Sequence, residues 1–188
     1  MNTLPRPRRS PPPKRAGFTL IELLVALSVL AVLAAIAAPS FADITRRMRV
    51  DTVREQFIGS MNLARTEAIR HGRNVVMRRI EPCAAASAAT QWYCGWQVFV
   101  DLDQSDTMDA GEPLLREVRG DSNVLIQRTN PVGGAFVQFT RFGVPDQSGM
   151  SFQIFPAGQE ANDPTNAQRV CLSGAGRIRT QKDTVACT

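Results

Sequence analysis

The residues with the clearest chemical potential lie near the C-terminus. In Gly176-Arg177-Ile178-Arg179 two arginines stand at alternate positions, and Lys182 follows three residues later. If this stretch is extended, Arg177 and Arg179 share one side and Ile178 is free to face the domain. Two parallel guanidinium forks suit phosphate oxygens, which they grip through paired N–H groups. Gly174 and Gly176 free the backbone for a tight approach, and Cys171 and Cys187 bracket the stretch. From Thr165 to Thr188 there are four basic residues and one acid, a local positive excess. The plainer reading of the same residues is a solvated basic turn that ends a sheet.

A second cluster runs from Asp101 through Asp103, Asp106 and Asp109 to Gly111 and Glu112. Its alternating oxygen ligands and its glycine resemble the composition of a calcium loop, but the spacing departs from the EF-hand pattern. An acidic hairpin turn is the reading preferred over a metal site. His71 is the one histidine, and it precedes a glycine at what looks like the end of a helix. With no serine or cysteine context beside it and the carboxylates gathered in one turn, no acid–base pair forms, so neither an enzyme nor a cofactor is expected. The four cysteines, Cys83, Cys94, Cys171 and Cys187, have no CxxC spacing, which argues against zinc. In an exported domain they pair, and sequence order favours Cys83–Cys94 and Cys171–Cys187 among three possible pairings. Each such bridge stabilises the domain by roughly 3 kcal/mol in the chain-entropy account.

The formal net charge of +5 is not evidence for a polyanion partner. Arg6, Arg8, Arg9, Lys14 and Arg15 all precede Phe18, and no acid does, so the remaining 17 basic residues balance the 17 acidic ones. Any such partner must be recognised by a local patch.

The elements that must position these groups begin with Phe18–Ala38, 21 residues interrupted only by Thr19, Glu22 and Ser28. At about 1.5 Å per residue this matches a bilayer core of about 30 Å. The Lys14-Arg15 pair ahead of it orients the span with its N-terminus inside and the bulk of the chain across the membrane. Glu22, five residues into an apolar span, is costly there and marks a paired or functional position. Pro39 then removes one helical hydrogen bond and predicts a bend rather than a stop. Beyond it Val53, Phe57, Met61, Ala64 and Ala68 form an apolar stripe, while Arg46, Arg47, Arg49, Arg54, Glu55, Arg65 and Glu67 are expected to stay wet. His71-Gly72 ends the helix.

After Gly72 short runs rich in Val, Ile and Phe alternate with turn residues. Strands are predicted at 74–80, 97–102, 113–118, 124–127, 135–139, 151–155 and 169–172, with a last one near Ile178. The expected class is α+β, a long helix laid on an antiparallel β-sheet. The organisation reads as a leader over 1–17, a membrane or filament-core helix over 18–38, an amphipathic continuation over 39–72 and a β-rich domain over 73–188.

Lys14-Arg15-Ala16-Gly17 followed by Phe18-Thr19-Leu20-Ile21-Glu22 resembles the processing signal of type IV pilins and pseudopilins. The resemblance implies cleavage between Gly17 and Phe18 by a prepilin peptidase, N-methylation of Phe18, and a Glu22 that neutralises the amino terminus of a neighbouring subunit. It further implies an inner-membrane subunit with its domain in the periplasm, later built into a filament with other pilins or pseudopilins. The acidic turn after Gly95-Trp96 resembles one in H-type (GspH) pseudopilins. The Gly176-Arg177-Ile178-Arg179 stretch resembles a motif of FimT-like minor pilins, which implies non-specific DNA binding through Gly176, Arg177, Arg179 and Lys182 in natural transformation. The alternatives are a structural H-type pseudopilin of type II secretion and a minor pilin that only primes assembly.

Overall fold

The computed structural model describes residues 17–129, 134–147, 149–161, 166–181 and 187, without the side chains of 37–40. The basic leader, the bend expected at Pro39 and the Lys182 side chain lie outside the described residues. The chain divides into two compact units, Met1–Ala42 and Asp43–Thr188. One helix, α1 (Leu20–His71), contributes to both.

In the first unit α1 opens on a reciprocal cap. The Glu22 amide donates to Thr19 Oγ1 at 3.2 Å, and the Thr19 amide donates to Glu22 Oε2 at 3.4 Å. This satisfies two N–H groups that a helix start leaves without partners. Every large apolar side chain described from Phe18 to Ile36 is more than half exposed. A helix apolar all round finds its partners in lipid or in other helices. Among the described residues no single helix is long and apolar enough to cross a membrane; Leu20–Ile36 and Phe41–His71 have that length and composition only when taken together.

In the second unit the stripe is buried as its spacing requires: Val50, Phe57, Met61, Ala64 and Ala68 are fully buried and Val53 nearly so. The strands are β1 (Val75–Arg79), β2 (Gly95–Val100), β3 (Leu114–Arg119), β4 (Val124–Arg128), β5 (Phe136–Phe139), β6 (Met150–Pro156), β7 (Gln168–Leu172) and β8 (Ile178–Gln181). They form not one sheet but two, ordered β3-β2-β1-β5 and β4-β6-β7-β8, with every pairing antiparallel. The architecture is α+β, a helix on two four-stranded antiparallel sheets.

Phe57 is the centre of the core. Its ring meets Trp92, Trp96 and Phe152 edge-on, with centroids 5.7, 5.2 and 4.9 Å away. The Trp92 indole N–H is satisfied by the Gly134 carbonyl at 2.8 Å. Arg128, 2% exposed, ties the sheets together by donating from β4 to the Phe136 carbonyl and to Gln147 Oε1, both at 2.8 Å. Burial pulls its pKa down, and nearby Asp146 opposes that shift.

The polar face of α1 is drier than its composition suggests. Arg54, Arg65 and Glu67 are half-buried rather than wet: the second sheet and its hairpin turn offer partners to the two arginines, while Glu67 meets Arg70 and His71 on the helix itself. Arg47 Nε donates to Asn166 Oδ1, and Arg54 bonds both Asp51 and Gln168. We expect Phe57→Ala to remove about 3–5 kcal/mol of stability, the usual cost of a large aromatic cavity. Denaturant unfolding of the second unit followed by Trp92 and Trp96 fluorescence checks this, and a loss below ~1 kcal/mol would contradict a core centred on Phe57.

Candidate nucleic-acid interface

The β7–β8 hairpin carries the basic residues. Its register places Cys171 opposite Arg179 and Leu172 opposite Ile178. The connecting turn is closed by the Ser173 amide on the Arg177 carbonyl at 3.0 Å, the Gly176 amide on the Ser173 carbonyl at 2.8 Å, and the Arg177 amide on Ser173 Oγ at 3.1 Å. Gly176 has φ +76°, a left-handed conformation that side chains disfavour. A Cβ there would also sit 3.2 Å from both Arg65 Nη1 and the Gly143 carbonyl oxygen. Arg65 of α1 donates to the Gly176 carbonyl at 2.9 Å and so fixes the turn from below.

The expected alternation holds. Arg177 and Arg179 are exposed, and Ile178 between them packs on the core. Both arginines line a cleft of about 330 Å³ together with Gly149, Leu172 and the Cys171–Cys187 bridge. Neither has a carboxylate partner among the described residues. The bridges are Cys83–Cys94 and Cys171–Cys187, each with Cα atoms 5.7 Å apart. Two guanidinium groups beside one disulfide give this cleft a local positive charge.

The acidic segment between β2 and β3 uses its carboxylates on its own backbone. Asp101 accepts the Gln104 amide at 2.7 Å, Asp103 the Ser105 amide at 3.0 Å, and Glu112 the Leu102 and Asp109 amides at 2.6 and 3.1 Å. This is the internal bonding of an acidic hairpin turn. The Asp106 pKa is raised by burial and then by Asp101 and Asp146, against the pull of Arg78. Oxygens of Asp101, Asp103 and Glu112 lie within 4.8 Å of one another, a grouping that exposed acidic turns commonly reach without an ion. His71 meets Glu67 at 3.2 Å at the helix end.

Two residues of the interface escape a sequence reading. Arg65 looks like any solvated helix arginine, since its partner is 111 positions away. Phe142 reads as one more strand-flanking apolar residue, yet it is 71% exposed on the turn that touches Gly176. By contrast the Thr19–Glu22 cap has a visible signal, a threonine three residues before a glutamate.

A long apolar helix capped at a glutamate five residues after Gly17, followed in the chain by an α+β domain, defines a pilin-like subunit. Residues 54–176 match the family described as Type II transport protein GspH, and the chain belongs to that family. Residues 12–38 match the prokaryotic N-terminal methylation motif. The Pilin-like protein PilA1 of Thermus thermophilus is 26% identical over 169 residues, 88% of this chain and 97% of its own. A Fimbrial protein of Pseudomonas aeruginosa is 33% identical over 89 residues, 47% of this chain, which thus spans only 53% of that relative's length. The crystal structure of the type IV minor pilin FimU of Pseudomonas aeruginosa has a TM-score of 0.57 at 19% identity, over 77% of this chain and 96% of that one, a likeness of fold. The chain is thus a pilin or pseudopilin, a class of structural subunits.

If Arg65 pins the basic turn, Arg65→Met will free it with little global effect. Hydrogen exchange at the Gly176 and Arg177 amides should accelerate while stability falls by only about 1 kcal/mol. Unchanged exchange at those amides would show that the bond to Gly176 does not hold the turn.

Proposed function

We propose that the chain is a minor pilin whose C-terminal turn binds DNA through its phosphate backbone and so serves DNA uptake in natural transformation. The observation that carries this reading is the pair of exposed arginines, Arg177 and Arg179, lining one cleft on a disulfide-stapled hairpin. Lys182 lies three residues further on and is included in the site on its sequence position. Phosphate contacts carry no base information, so binding is non-specific and falls steeply with salt.

In this reading a prepilin peptidase cuts between Gly17 and Phe18, and Phe18 is N-methylated. Residues 18–38 hold the precursor in the inner membrane with its domain in the periplasm, and then pack in the filament with other pilins. Glu22 neutralises the amino terminus of the next subunit; a buried carboxylate is tolerated where a cation meets it. A second reading has a specific support, the family match: a structural H-type pseudopilin of type II secretion. In that case the basic turn contacts another subunit rather than DNA.

Two measurements test these assignments. The full chain in detergent micelles, titrated with duplex DNA, should bind about tenfold or more weakly as Arg177→Ala/Arg179→Ala, and the salt slope should fall by about two. Equal affinity of variant and wild type sinks the DNA assignment. N-terminal sequencing of the membrane-extracted subunit should begin at Phe18, and Gly17→Glu should leave the leader attached; any other N-terminus on the wild-type subunit overturns the processing site.

A further inference from the structure

The turn that touches Gly176 is itself built to present an aromatic ring. It is closed by the Gly143 amide on the Thr140 carbonyl at 2.8 Å and the Thr140 amide on the Val144 carbonyl at 2.9 Å. Gly143, at φ +72°, fits against α1 so closely that a Cβ would meet Ile69 Cδ1 at 2.6 Å. Its carbonyl oxygen lies 3.2 Å from where a Cβ of residue 176 would be, so the two turns are in contact. On this rigid tip Phe142 is the one exposed aromatic residue described in the Asp43–Thr188 unit.

A lone exposed phenylalanine means little. Here its neighbours give it chemistry. The Arg141 guanidinium stacks on the ring at 4.8 Å from its centroid, and the ring remains 71% exposed. Arg141 and Phe142 stand at the edge of a second cleft, about 440 Å³, which also presents Arg73. Asp101 reaches that cleft but is 2% exposed and bonded within its own turn. Arg177 and Arg179 line one cleft, and Arg141, Arg73 and Phe142 line another beside the turn that touches Gly176. Cations and an aromatic platform on adjoining turns are the parts of a single-stranded nucleic acid site, because an unpaired base can offer its π-face and a duplex cannot.

We infer that this face takes a single strand of DNA in preference to duplex: phosphates run over Arg177 and Arg179, a base stacks on the open side of Phe142, and the strand continues past Arg141 and Arg73. This rests on the arginine-turn reading and adds to it the form of the nucleic acid. Stacking is tolerant of sequence, since every base has a π-face, so the preference is for strandedness and not for composition.

The test uses the full chain in detergent micelles, a labelled single-stranded oligonucleotide and its duplex. Wild type should bind the single strand more tightly. Phe142→Ala should lose about tenfold or more on the single strand and stay within about twofold on the duplex, and Phe142→Trp should restore binding. A 2-aminopurine base in the strand should be quenched by wild type and Phe142→Trp but not by Phe142→Ala, a signature that a merely structural role would not move. Phe142→Ala binding both forms like wild type, or losing both equally, overturns the inference while the arginine-turn reading stands. Loss of filament incorporation by Phe142→Ala with single-strand binding intact assigns the ring to a partner subunit and also overturns it. Retained duplex binding by Arg177→Ala/Arg179→Ala instead removes the arginine-turn reading itself.

Discussion

The second unit depends on one constraint: the face of α1 from Val50 to Ala68 must be buried, and both sheets serve that burial. Among the described residues the helix stripe shares one buried cluster with both four-stranded sheets, so it completes two half-cores at once. Phe57 shows how tightly the pieces are coupled. It touches Trp96 from β2, Phe152 from β6 and Trp92 from the long connection before β2. Edge-on aromatic pairs contribute about 0.5–1.5 kcal/mol each beyond the area they bury. With that face seated, the side chains around it on α1 come within reach of the second sheet, and Arg47, Arg54 and Arg65 bond Asn166, Gln168 and Gly176. The same burial that makes the core thus also aims the basic turn.

The first unit meets the opposite condition. From Leu20 to Ile36 the large apolar side chains of the helix are all more than half exposed among the described residues. Exposed apolar area of this extent is unfavourable in water by roughly 25 cal/mol per Å², which suits the segment to contact with lipid or with other helices. Glu22 is legible in both settings. Its carboxylate caps the first turn through the Thr19 amide, which keeps a charged group useful at a helix N-terminus where the dipole favours an anion.

What could be read from the residues alone follows from range. The buried stripe, the eight strands and the cysteine pairs are local patterns, set by periods of 3.6 and 2 and by neighbours in the chain. The division into two sheets is not local: β4 leaves β3 to pair with β6, and nothing in the alternation of 124–127 marks that choice. Arg128 was hidden for the same reason, because its carbonyl and amide partners lie on other segments and a strand-end arginine ordinarily faces water. In the interface, Arg177 and Arg179 are visible as an alternating pair, whereas Arg65 and Phe142 join them only through a tertiary contact of two glycine turns.

Charge balance constrains how such a surface works. A chain beginning at Phe18 carries 17 basic and 17 acidic residues, so no overall field draws a polyanion in from a distance. At physiological salt the field of a local patch fades over about 8 Å, and two or three cations release few counterions. In the proposed reading, one subunit would therefore bind a phosphate backbone weakly and let it go quickly. Two additions escape that limit: repetition of the patch along a filament, which raises the effective concentration of the next contact, and stacking on a ring, which salt does not screen. The rigid seating of both turns on α1 favours each of them, since neither gain survives if the groups must be ordered anew at every encounter.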